Sequence, residues 1–143
     1  MKDQESGNFI NFLKKLINYY KFSPNTLSKI SGISEENILN CVDDISVSHD
    51  TRWDLDLFVM LLTESMEAHN EDERVQLLIL NMMQEFDISI ETIGIYAKTS
   101  PEEIINFLED ATSLSIEKRY RLGVTVLFLH FICYTKYRNE SDT

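Results

Sequence analysis

Residues 26–39 read TLSKISGISEENIL, and residues 92–105 read TIGIYAKTSPEEII. In the first stretch Leu27, Ile30 and Ile33 recur at three-residue steps, the spacing of one apolar helix face. Gly32 marks a turn, because glycine enters left-handed backbone conformations without steric cost. Ser34 offers an N-cap, and Glu35 and Glu36 put negative charge in the first turn that follows. Ile38, Leu39 and Val42 then give a second helix its apolar side. Two short helices joined by a tight turn follow from this stretch alone.

Working outward, Phe9, Phe12, Leu13, Leu16, Ile17 and Tyr20 predict a first helix. Ser23 and Pro24 supply the cap and first position of the next. A longer helix is expected from about Thr51, carrying Trp53, Leu55, Phe58, Val59, Leu61 and Leu62 and ending near His69 and Asn70. The pattern then begins again. Val75, Leu78, Ile79, Met82 and Phe86 share a face; Ser89 caps a short helix with Ile93, Tyr96 and Ala97; Ser100 and Pro101 open another with Ile104, Ile105, Phe107 and Leu108. A last long helix is expected from about Ser115 to Tyr137.

Sliding the chain by 66 residues lays Thr26–Asp44 over Thr92–Asp110, with six identical pairs in 19 positions. They are Thr26/Thr92, Ser34/Ser100, Glu36/Glu102, Ile38/Ile104, Asn40/Asn106 and Asp44/Asp110. A one-residue shift then pairs Trp53 with Tyr120 and Leu55 with Leu122. An internal duplication accounts for this more simply than chance. The expected fold is therefore all-α: about eight helices in two repeated four-helix units, residues 1–69 and 70–143, packed as one compact body.

The stretch from Thr26 to Leu39 resembles the helix-turn-helix of phage-repressor-type regulators. Leu27 faces inward, small Ser28 lets the second helix approach, Ile33 sits beneath the turn, and Ile38 with Cys41 anchors the second helix. The second copy keeps Ile93, Gly94, Ser100 and Ile104, but Lys98 replaces Gly32 and leaves room for a different turn. The resemblance implies a transcriptional regulator that binds DNA as a homodimer. In such proteins the second helix enters the major groove. Carried onto this chain, the DNA-contacting set is Lys29 toward a phosphate, Ser34 at the helix start, and Asn37 and Asn40 toward adenine edges.

Charge argues the other way. The chain has 24 acidic and 13 basic side chains, a formal charge of −11, which discourages binding to nucleic acid or anionic membrane. Ser34–Asp44 holds Glu35, Glu36, Asp43 and Asp44 and no Lys or Arg; Ser100–Asp110 holds Glu102, Glu103, Glu109 and Asp110 and again none. Affinity for DNA comes largely from cations neutralising phosphates. The alternative is a helix-turn-helix fold turned to protein binding, with Glu35, Glu36, Glu102 and Glu103 docking a basic protein partner. These four acids also have a plain structural role near helix N-termini. The best basic patch is Lys118–Arg121, with Tyr120 interleaved; Lys14, Lys15, Lys21, Lys136 and Arg138 lie on or beside the first and last helices.

Other chemistry is thin. Cys41 and Cys133 are far apart and read as reduced thiols of a cytoplasmic protein. The first eight residues are polar, unlike a secretory leader. The apolar run Leu122–Tyr134 is shorter than the ~20 residues that span a bilayer, so no membrane insertion is expected. His69 and Glu73 have metal-ligand spacing but read as a solvated helix boundary, and His130 as a core histidine. No phosphate loop or nucleophile motif is present, so no catalytic residue, metal or cofactor is expected, and the chain is not expected to be an enzyme. The last helix is apolar around nearly its whole circumference, which predicts burial on all sides, in the centre of the fold or in a dimer seam.

Overall fold

Serine hydroxyls fix where the short helices begin. Ser23 accepts a hydrogen bond from the Thr26 backbone N–H, Ser34 from Asn37, Ser89 from Thr92 and Ser100 from Glu103. Each satisfies a donor that the helix itself leaves open, worth about 1 kcal/mol. The computed structural model describes residues 2–141, with side chains over 7–135; the side chains of Lys136 and Arg138 lie outside the described residues.

Among the described residues there are eight helices and no strand. They are α1 (Lys2–Asn18), α2 (Pro24–Ser31), α3 (Glu35–Val42), α4, α5 (Glu71–Phe86), α6 (Ile90–Ala97), α7 (Pro101–Glu109) and α8 (Ile116–Ser141). Helix α4 runs through His49–Met60, a π-helical turn at Leu61–Ser65 and a last α turn at Met66–Ala68. In the π turn the buried Thr63 hydroxyl donates to the Val59 carbonyl at 2.8 Å, so a side chain competes for the helix's own acceptor. A single 3₁₀ turn, Ala111–Ser113, precedes α8.

The chain divides into two units, Met1–Ala68 and His69–Thr143. The first builds its core from Phe9, Leu13 and Leu16 of α1, Leu27 of α2, Ile38 and Cys41 of α3, and Leu55 and Val59 of α4. The second uses Ile79 and Met82 of α5, Ile93 and Ala97 of α6, Ile104 and Phe107 of α7, Leu114, and Leu122 and Val126 of α8. Buried positions recur at the spacing seen in the sequence. Leu13/Ile79, Leu16/Met82, Leu27/Ile93, Ile38/Ile104 and Cys41/Phe107 stand 66 apart, and Leu55/Leu122 and Val59/Val126 stand 67 apart; all fourteen are buried.

Turns recur as well. Lys21 and Asp87 both take left-handed conformations, φ 63° and 53°, after α1 and α5. The following N–H groups of Phe22 and Ile88 return to the carbonyls of Leu16 and Met82, at 3.0 and 3.3 Å. Gly32 closes α2 at φ 76°, and Lys98 closes α6 at φ 52°. The room left for a different second turn is thus not used: Lys98 follows the glycine's path.

Helix α8 meets the sequence expectation on one side only within its own chain. Leu122 and Val126 are fully buried, but Val124, Leu127, Phe128, Phe131 and Tyr134 are each at least half exposed. Within the single chain the apolar circumference is not buried on all sides, so the centre of the fold is not where it lies. One face packs in the second unit's core and the other is open.

Candidate functional site

Helices α2 and α3 with the Gly32 turn make the first helix-turn-helix, and α6 and α7 with the Lys98 turn make the second. Buried Ile38 and Cys41 seat α3 against its unit, and buried Ile104 and Phe107 seat α7. What remains outward is similar in both. On α3 it is exposed Glu35, Glu36 and Leu39 with half-buried Asn40, and Asp43 at the C-cap; on α7 it is Pro101, Glu102, Ile105, Asn106 and Glu109. Two acids bracket an apolar residue and an asparagine, and Leu39 and Ile105 are 43% and 47% exposed.

The four residues expected to contact DNA lie together on the first motif. Lys29 is exposed near the end of α2, Ser34 caps α3, and Asn37 and Asn40 are half-buried along α3. Ser34's oxygen accepts from the Asn37 N–H at 3.2 Å, so its acceptor is committed to the cap. Glu35 is exposed and accepts from the Asn25 side chain at 3.4 Å, while Glu36 and Glu102 are exposed on the outward faces. Glu103 is not free: it bonds back to the Ser100 N–H at 3.1 Å to complete a capping box, and it takes the Lys118 ammonium. The Lys118 bond, with the Ser100 cap, holds the Glu103 carboxyl below the ordinary carboxylate range.

The basic patch is similarly engaged. Lys118 pairs with Glu103, Arg119 with Asp72 at 2.9 Å, and Arg121 with Glu117 at 3.5 Å. In the first unit Lys15 pairs with Glu67 at 2.6 Å, and Tyr20 donates to the same carboxylate at 2.5 Å. These bonds, the lysine's first, hold Glu67 below its ordinary range and raise both Lys15 and Tyr20. Arg52 lies over the Phe9 ring, 4.4 Å from its centroid.

His69 Nδ1 lies 3.3 Å from Glu73 Oε2 beside the Asn70 capping box of α5, and no group of three or more potential metal ligands occurs among the described residues. His130 is half-buried against Tyr134, with ring centroids 4.7 Å apart, and burial lowers its pKa. Cys41 and Cys133 are free thiols; burial pushes Cys41 up. Among the described residues no helix is long and apolar enough to cross a membrane.

The sequence showed that the last helix is apolar all round but not which face stays open. It did not show a groove of about 460 Å³ between α5 and α8, walled by Val75, Leu78, Tyr120, Gly123, Val124 and Leu127, with Glu71, Asp72, Arg74 and Arg119 also in its lining. The heptad spacing of Tyr120, Val124, Leu127, Phe131 and Tyr134 was the available signal, masked by the apolar residues between them.

Capped helices joined by a left-handed turn, with the second helix of each pair presented outward, define an all-α helix-turn-helix protein. The comparison agrees: the family of helix-turn-helix domains matches residues 4–139, and the chain belongs to it. No curated protein and no solved structure matches the chain.

Proposed function

We propose that this chain is a non-enzymatic, cytoplasmic regulator of transcription that acts as a dimer and contacts DNA through α2 and α3. The observation that carries this reading is a capped α3 presented outward beside exposed Lys29, in a chain that belongs to a helix-turn-helix family. Lys29 would reach a phosphate, Asn37 and Asn40 would read base edges, and Ser34 would position the helix. The recurrence of caps, left-handed turns and buried positions at 66 and 67 residues supports a tandem duplication of a phage-repressor-like unit.

Selection from a random duplex pool, followed by gel retardation at low salt, tests this reading. Asn40→Ala should weaken the selected duplex by roughly 5- to 150-fold, the value of one good base contact. With few unpaired cations on the motif, the salt dependence should be shallow. Failure to retard any duplex at low salt overturns the proposal.

A second reading is favoured by the outward faces themselves. Acid, apolar residue, asparagine and acid occur at matching places on α3 and α7, which suits a basic protein surface better than a phosphate backbone. Glu36→Lys with Glu102→Lys should then abolish capture of a basic protein partner, and unchanged capture sinks this reading. Glu35 belongs to the same surface, whereas Glu103 is a poorer choice because it is already bonded to Lys118.

A further inference from the structure

We propose that the open face of α8 is a self-association seam, occupied by α8 of a second copy of this chain. This rests on the dimeric part of the reading above and gives it a surface. Tyr120, Val124, Leu127, Phe131 and Tyr134 follow steps of four, three, four and three, the repeat of a helix that packs along another helix. All five are at least half exposed, Tyr120 at 74% and Phe131 at 63%. The opposite side of α8 carries the same repeat in Leu122, Val126, Leu129 and Cys133; the first three pack in the unit's own core and Cys133 is half-buried.

Area, charge and shape select a second copy. An aromatic side chain buries about 150–250 Å², so the five residues with exposed Phe128 and Ile132 offer on the order of 800 Å², the share one partner gives to a standard interface. Residues 122–135 contain no Asp, Glu, Lys or Arg. That part of the stripe offers nothing to a phosphate backbone or a charged peptide, and at its Tyr120 end the flanking Arg119 and Arg121 are paired with Asp72 and Glu117, so two chains of charge −11 can meet there with few opposing like charges. Beside the stripe the groove between α5 and α8 is floored by Gly123, where an added Cβ would lie 3.1 Å from Val75 Cγ2. Such a hole takes a knob from a facing helix, and a two-fold pair of identical faces fills both holes at once.

The equivalent face of α4 shows why α8 is the seam. Trp53, Leu57 and Met60 are exposed at places matching Tyr120, Val124 and Leu127. Glu64 and Glu67 then replace Phe131 and Tyr134, and Glu67 is already held by Lys15 and Tyr20. The α4 stripe ends where the α8 stripe continues.

Sedimentation velocity on the full chain across a micromolar concentration series tests the proposal. The expected mass is twice the chain's 16.7 kDa. The L127E/F131E double variant should run at single-chain mass with unchanged helical circular dichroism, its dissociation constant raised at least 100-fold. Ile95→Glu, at another exposed apolar position, should leave the dimer intact. Should L127E/F131E lose helicity, Tyr120→Glu at the most exposed stripe position decides the matter by the same measurement. A single-chain mass for the unmodified protein throughout, or a dimer that survives the folded stripe variants, overturns the seam. Failure of DNA retardation with the dimer intact would sink the DNA reading and leave the seam standing.

Discussion

Lys98 takes the left-handed backbone of Gly32, its counterpart 66 residues earlier, with φ 52° against 76°. The N–H of each returns to the residue four positions back, Gly94 for Lys98 and Ser28 for Gly32. A side chain in this region costs roughly 1–2 kcal/mol relative to ordinary helical backbone, and glycine escapes that cost. The turn in the second unit is therefore imposed by the packing of α6 and α7 and not by local preference.

Opposite substitutions should have opposite effects. Lys98→Gly should stabilise the second unit by about 1 kcal/mol, and Gly32→Ala should destabilise the first by a similar amount. A Cβ built at Gly32 meets nothing within 4 Å, so the loss there is conformational and not steric. Urea denaturation followed by circular dichroism measures both. Equal signs for the two variants would refute the shared turn.

Gly94 is needed for a different reason. A Cβ there would stand 2.5 Å from the Thr99 carbonyl oxygen, a backbone atom that cannot move without shifting the turn. Gly94→Ala should cost about 1–3 kcal/mol, as overpacking does. Gly123→Ala meets only the Val75 side chain, at 3.1 Å, and should cost less. The order of the two midpoints in urea is the check.

Much of this fold was legible because its signals are local. Serine caps, apolar spacing and the 66-residue recurrence all act within a few residues of where they are written, and Ser23, Ser34, Ser89 and Ser100 each cap the helix expected of them. What failed depends on partners distant in sequence. Phe131 and Leu122 are both strongly apolar, and the packing of α5 and α6 against α8 decides which is covered. Likewise, nothing local ties Lys118 to Glu103 or Arg119 to Asp72, so the basic patch looked freer than it is. Of the candidate site, the placement of Lys29, Asn37 and Asn40 followed from the motif, while which face of α8 stays open did not.

Acid should loosen both units. Glu67, Glu103 and Asp110 are all held below the ordinary carboxylate range, chiefly by Lys15, Lys118 and Thr112 respectively. Between the folded and unfolded pKa values the unfolded chain binds more protons, so stability rises with pH in that window. Their contribution is complete above the unfolded carboxylate pKa and is lost as pH falls through the folded values. Thermal midpoints should therefore drop from pH 6 to pH 3, and E67Q and E103Q should each flatten the slope. A parallel pH profile in E67Q would show that the Lys15 and Tyr20 bonds to Glu67 contribute nothing measurable.

Ile38 and Ile104 are fully buried at matching places on α3 and α7, yet they belong to separate clusters with no residue in common. Ile→Val in a core typically costs about 0.5–1.5 kcal/mol, through lost transfer energy and a small residual cavity. Substitutions that share no partner add to within about 0.5 kcal/mol. Ile38→Val and Ile104→Val should thus each destabilise modestly, and the double variant should show their sum in urea denaturation. A departure from the sum by more than about 1 kcal/mol would mean that the two cores are energetically coupled, against their division into separate clusters.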